Sequence, residues 1–294
     1  VLTLALLACP DVKADDFKVT PPPTALRATP RAAYRGFPRP PYRNARGQCS
    51  GLDRTRLPRH VLVKYAAPLH PFYKKYISAD GYPIIASSRV DDYAMKEAAF
   101  LVKQMLAKRP DVRRAMIEGG SRMVIMAHNE FTTDVPEYAD FEPKEFWDAR
   151  ARGLGGSQTD PLCSAAEENL LALAGDPYTS ECILIHEFAH NIHLRGLVNV
   201  DSTFDDRVRQ AYDSAMAKGL WKSKYAATNH HEYWAEGVQS WFDNNRQPDH
   251  DHNHVDTRAE LIEYDPRLAK LCHEVFGDTK LSYTKPTTRL VGHL

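Results

Sequence analysis

His186-Glu187-Phe188-Ala189-His190 is the stretch on which the reading of this chain turns. In a helix, side chains four residues apart share a face, about 40° apart at ~100° per residue. Two imidazoles so placed can hold one metal ion, and a glutamate directly after the first can reach a water bound to that ion as a general base. A five-residue motif is decided by its context. Cys182, Ile183, Leu184 and Ile185 lead into it, so the helix is apolar and is expected to be buried. Thr179 or Ser180 is the expected cap of its start, and Gly196 stands where a helix stop belongs. Histidines and a glutamate in such a helix need partners, because unpaired buried polar groups are costly. A metal ion supplies one.

A catalytic zinc site takes three protein ligands and keeps one position for water, so a third ligand is required downstream. The long H-E-x-x-H-x-x-G-x-x-H spacing fails: His193 occupies its glycine position and Gly196 its last histidine position. The alternative is a glutamate from a second helix. Asn229 is a suitable N-cap, and Tyr233, Trp234, Val238, Trp241 and Phe242 give a helical apolar pattern through Asn244. Glu232 and Glu236 share a face of that helix. One can bind the ion while the other supports a ligand histidine from behind. His230 and His231 are rivals for the same place.

The pair His186-Glu187-Phe188-Ala189-His190 and Glu232-Tyr233-Trp234-Ala235-Glu236 resembles the catalytic core of the anthrax lethal factor-like gluzincin metallopeptidases, a group that includes secreted Pro-Pro endopeptidases. The run Tyr225-Ala226-Ala227-Thr228-Asn229 is similar to a segment of the same family, and the likeness spans roughly residues 180 to 245. The resemblance implies an α+β, zincin-like metallopeptidase fold: a small mixed sheet packed with an active-site helix, and a mostly helical C-terminal half. It implies one catalytic Zn²⁺ held by His186, His190 and Glu232, with Glu187 as general base and Glu236 behind the ligands. It also implies that Tyr225, seven residues before Glu232, donates to the transition-state oxyanion. The first 170 residues carry no likeness to the delivery and recognition regions of the toxin, so neither the toxin's role nor its substrates are implied.

The expected function is a secreted zinc endopeptidase acting on protein or peptide. Two alternatives stay open: a catalytically silent, zinc-stabilised binding module, and a zinc amidase acting on glycopeptide or cell-wall material. Glu187 favours turnover, since a structural site is closed by four protein ligands and needs no base.

The remaining polar features read more plainly. His250, His252 and His254 alternate with Asp249, Asp251 and Asn253 after Pro248, which reads as a solvated loop ahead of a second metal site. His193 is expected to pack or hydrogen-bond rather than to ligate. Glu167 and Glu168 are expected on a solvated helix face. The chain has 38 basic and 38 acidic residues, so no global charge recruits nucleic acid or an anionic membrane. No apolar stretch is long enough for a transmembrane helix, and the sequence leaves the oligomeric state open.

Residues 1–14 read as the apolar part and cleavage site of a secretory signal, Val12-Lys13-Ala14 preceding Asp15. A lipobox-like reading around Cys9 is the competing one. Either places the protein outside the cytosol, where Cys49, Cys163, Cys182 and Cys272 can oxidise. Residues 15–56 are rich in proline and arginine and read as an irregular leader; residues 57–294 read as one catalytic domain. Strands are expected at His60–Tyr65, Tyr82–Ala86 and Arg122–Ala127. Helices are expected from Asp91 to Lys108, from Pro110 to the Gly119-Gly120 stop, from Ser202 to Lys218, from Arg258 to Glu263 and from Pro266 to Phe276. The Gly-rich stretch from His128 to Pro161 is long enough for a cleft rim.

Overall fold

The computed structural model describes residues 19–20 and 69–281. The leader readings, the strand expected at His60–Tyr65 and Cys49 lie outside the described residues. What is described is a mixed α+β fold, about half helical, built on one five-stranded sheet. In chain order the strands are β1 (Lys75–Ala79), β2 (Tyr82–Ala86), β3 (Arg122–Met126), β4 (Gly153–Leu154) and β5 (Leu162–Ala166). Their spatial order is β1-β2-β3-β5-β4. The three central strands run parallel, and the two outer ones pair antiparallel to them.

Alternation along the strands divides the core. Ile84, Met123, Ile125, Cys163 and Ala165 face the larger cluster, which the helices build. Ile85, Val124, Met126, Leu162 and Ala166 face a smaller one with Tyr73, Val135 and Tyr138. Burial on both faces explains why β5, Leu162-Cys163-Ser164-Ala165-Ala166, shows no polar alternation and gives no strand signal in the sequence.

Helices α1 (Asp92–Met105) and α2 (Pro110–Glu118) form the crossover from β2 to β3. The Asp91 side chain accepts from the Tyr93 N–H and starts α1. Pro110 opens α2, and Gly119 ends it before Gly120 turns at φ +76°. The stretch from His128 to Pro161 is more ordered than its composition suggests. It holds two 3₁₀ turns, α3 (Lys144–Arg150) and the edge strand β4. The short α4 (Glu167–Leu170) follows β5 directly. Then come α5 (Ile183–Asn191), α6 (Phe204–Ala217), α7 (His230–Trp241), α8 (Arg258–Tyr264) and α9 (Pro266–Phe276).

Two expectations about α5 are corrected. Neither Thr179 nor Ser180 caps it. Its N-cap is Cys182, with no side-chain cap bond of its own. Asparagines from elsewhere serve instead: Asn244 accepts from the Cys182 N–H at 2.7 Å and Asn169 from the Ile183 N–H at 2.9 Å. Nor does Gly196 stop the helix. The chain continues through a π-helical segment, Ile192–Leu197, into Val198–Val200. Gly196 is there for close approach: a Cβ would lie 2.5 Å from Val112 Cγ1 and 2.9 Å from Met116 Cγ on α2. Cys163, Cys182 and Cys272 are all buried. Among the described residues no helix is long and apolar enough to cross a membrane.

Candidate metal centre

His186 and His190 project from one face of α5, as their spacing requires, and α7 crosses that face. Trp234 on α7 donates its indole N–H to the Ala189 carbonyl at 3.0 Å, which fastens the two helices. The start of α7 is set by Asn229, whose side chain accepts from the N–H groups of His231 (2.8 Å) and Glu232 (3.0 Å). That cap puts Glu232 in the first turn, over the two histidines.

Three ligand atoms then converge. His186 Nε2 and His190 Nε2 are 3.2 Å apart, and Glu232 Oε2 is 3.1 Å from the first and 3.2 Å from the second. Ligands placed tetrahedrally around an ion at about 2.0–2.1 Å lie about 3.3 Å from one another. A nearly equilateral triangle of this size fits a small divalent cation, and the three residues form a group that could hold one.

The electrostatics favour positive charge at that point. Burial opposes a charged His186. The Glu232 hydrogen bond and the charges of Glu187 and Glu236 outweigh it and raise the pKa to about 10. Burial also pushes Glu232 upward, but its contacts with His186 and His190 prevail and hold the carboxylate well below its ordinary range. At Glu187 burial prevails and raises the pKa.

His186 is oriented by a residue the sequence reading passed over. Its Nδ1–H donates to Gln239 Oε1 at 2.8 Å, and Gln239 Nε2 donates to Glu181 Oε2 at 2.8 Å. An amide oxygen only accepts, so this contact keeps a proton on His186 Nδ1 and turns Nε2 toward the cluster. Glu236 is buried close by, its Oε1 3.5 Å from His186 Nδ1, while Asn245 donates to its Oε2 at 3.1 Å. Of the two, Gln239 makes the hydrogen bond. Its only sequence signal was a position three residues after Glu236 on the same helix.

Tyr225 lies in the 3₁₀ turn before α7, its ring tilted against that of His186 with 6.1 Å between centroids. Burial, then the charges of Glu232 and Glu187, raise its pKa, so the phenol keeps its proton at neutral pH. The Tyr225 N–H donates to the Asp251 carbonyl at 2.8 Å, so the histidine-rich loop backs this turn. Within that loop His250 is exposed. His252 is buried, with Nδ1 2.9 Å from Asp249 Oδ1 and Nε2 3.6 Å from Glu236 Oε2. His230 and His231, the rival third ligands, turn instead toward Asp205.

The edge of the sheet closes the other side. The stretch Gly153-Leu154-Gly155 passes so near α5 that a Cβ on Gly155 would lie 2.5 Å from His190 Cβ, and one on Gly153 3.0 Å from Glu187 Cγ. Asn191 donates to the Gly155 carbonyl at 3.1 Å and holds the strand there. Glu167 and Glu168 are corrected: both are buried. Glu167 accepts from the backbone N–H groups of Asp91 (2.7 Å) and His128 (2.9 Å). Glu168 pairs with Arg152, next to the edge strand, at 3.0 Å. Loop amides and a half-buried guanidinium need these acceptors more than solvent does. No protein-family model matches the chain, and no curated protein matches it in sequence.

Proposed function

We propose that this chain is a zinc-dependent endopeptidase of the gluzincin kind, with a zincin-like arrangement of sheet edge, α5 and α7. The observation that carries the reading is the triangle of His186 Nε2, His190 Nε2 and Glu232 Oε2, with Glu187 next in sequence to the first ligand. His186, His190 and Glu232 would hold the ion. Bound there, zinc supplies Lewis acidity, polarising a carbonyl and making a water acidic near neutral pH.

The chain's own residues account for the rest. Glu187 takes the proton of the attacking water and passes it to the leaving amine. Its raised pKa makes it a better proton acceptor than an exposed carboxylate. Tyr225 donates its phenolic hydrogen to the developing oxyanion, a contact whose loss costs about 2.7–4 kcal/mol in comparable sites. Gln239 holds His186 in the ligating tautomer. Among the described residues β4 pairs with β5 alone. An extended peptide can add to its other edge, so that main-chain hydrogen bonds lay the substrate along α5.

The test compares wild type with Glu187→Gln against a peptide library, with bound metal measured in both. The variant is expected to keep its metal and lose cleavage. Wild type that binds zinc and cleaves nothing across a broad library would make the chain a zinc-stabilised module instead.

A further inference from the structure

We propose a second, structural metal site in this chain, formed by His193, Asp205 and His231, that takes a divalent transition-metal ion of the zinc class. His193 comes from the π-helical segment after α5, Asp205 from the first turn of α6 and His231 from the first turn of α7. Their ligand atoms all lie within 4.8 Å of one another. His193 Nε2 is 3.3 Å, and His231 Nε2 3.5 Å, from Asp205 Oδ1. Those are the separations that ligands at about 2.0–2.2 Å from a shared ion adopt.

The independent observation is His193 itself. Its side chain is 0% exposed, ringed edge-to-face by Phe204 and Trp234, and neither ring nitrogen makes a hydrogen bond of normal geometry. A buried imidazole without a hydrogen bond is costly. Coordination would satisfy Nε2 and offset its share of that cost. Asp205 is meanwhile held from outside the trio: His230 Nε2 is 3.0 Å from Oδ1, and Arg209 donates to Oδ2 at 3.2 Å. Metal-binding carboxylates are oriented in this way by neighbouring donors. Two imidazoles and one carboxylate suit zinc and its neighbours rather than calcium or magnesium. A surface hollow lined by Arg209, Asn229, His230 and His231 opens on the His231 side of the trio.

Such an ion would tie three helical segments together next to the proposed catalytic centre. His231 precedes Glu232 in sequence, and His193 is one turn beyond His190. The second ion would therefore fix the angle at which α7 presents Glu232, independently of whether the first site turns over substrate.

The full chain, stripped with a chelator and reloaded with Zn²⁺ alone, is expected to bind two equivalents by elemental analysis. His190→Ala and His231→Gln should each bind one, and the double variant none. Wild type with a single equivalent that His231→Gln retains, or His231→Gln with both, overturns the site. Thermal melting guards against loss through misfolding. Added Zn²⁺ should raise the melting temperature of His190→Ala but not that of His190→Ala/His231→Gln, at equal far-UV helix signal. An equal rise in the double variant also overturns it. Asp205→Asn, which removes the charge and keeps the shape, is expected to weaken the second site at least tenfold, and unchanged affinity refutes its ligand role.

Discussion

Gly155→Ala tests whether the sheet edge and α5 are one rigid unit. The added Cβ would lie 2.5 Å from His190 Cβ, 2.9 Å from the Glu187 carbonyl oxygen and 3.0 Å from His190 Cδ2. Non-bonded carbons settle at about 3.5–4.0 Å, so strand and helix must part by about 1 Å. Two of the three neighbours are a backbone atom and a Cβ, which cannot swing aside. Overpacking of this kind costs about 1–3 kcal/mol. With a urea dependence of about 2 kcal/mol per molar, the unfolding midpoint should fall by about 0.5–1.5 M. Displacing His190 by that distance should also slow peptide cleavage about 10²-fold. Gly153→Ala is the internal comparison. Its Cβ would meet Glu187 Cγ at 3.0 Å and the Ser164 carbonyl oxygen at 3.1 Å, contacts that smaller shifts relieve. Its midpoint should fall less than that of Gly155→Ala. Urea titrations of both variants, with metal content read alongside, decide the matter. An unchanged midpoint in Gly155→Ala would refute the close approach of edge strand and α5.

Three further outcomes follow from named contacts. Gln239→Leu removes the acceptor for His186 Nδ1–H and the donor to Glu181; zinc affinity at the proposed catalytic site should fall about 10–100-fold in chelator competition, and a change under threefold would count against Gln239 as the orienting residue. Tyr225→Phe should keep its metal and lower kcat by about 10²–10³, whereas a rate within a factor of three of wild type assigns Tyr225 to packing alone. Asn169→Ala leaves the buried Ile183 N–H and the Asp176 and Glu181 acceptors without their common partner; at about 1–3 kcal/mol per unsatisfied group, denaturant melts should show a loss of at least 2 kcal/mol, and a loss below 0.5 would mean that water replaces the asparagine.

What the sequence makes legible here is what is local and periodic. α1, α2, α6, α7 and α9 follow from apolar positions at helical spacing, from the cap at Asn229, and from prolines at helix starts. Strands were harder. β1, Lys75-Tyr76-Ile77-Ser78-Ala79, is short and mixes polar and apolar residues, while β5 is built of small residues buried on both faces. β4 is two residues long and is recognised only by its pairing with β5. The helices of the C-terminal half were therefore foreseeable, though not how α5 starts or continues, and the sheet only through β2 and β3.

The site divides along the same line. His186, Glu187 and His190 are neighbours in sequence, so a motif can name them. Gln239, Asn169 and Gly155 reach the site across 53, 14 and 35 residues of chain and have no motif of their own. Each acts through a buried hydrogen bond or a missing Cβ, features that exist only once the elements have met. Gly196 shows how a local rule can mislead. A glycine after a helical pattern reads as a stop, because glycine tolerates the left-handed turn that ends helices. Here it lies inside a helical run and serves contact with Val112 and Met116. The π-helical segment around it carries His193 to the face that meets α6 and α7. An ordinary α-helical stop at Gly196 would give no reason for that turn. Contact with α2 on one side and with Asp205 and His231 on the other does, and it makes the run from His186 to Gly196 a shared wall between two clusters of side chains that could each hold a metal ion.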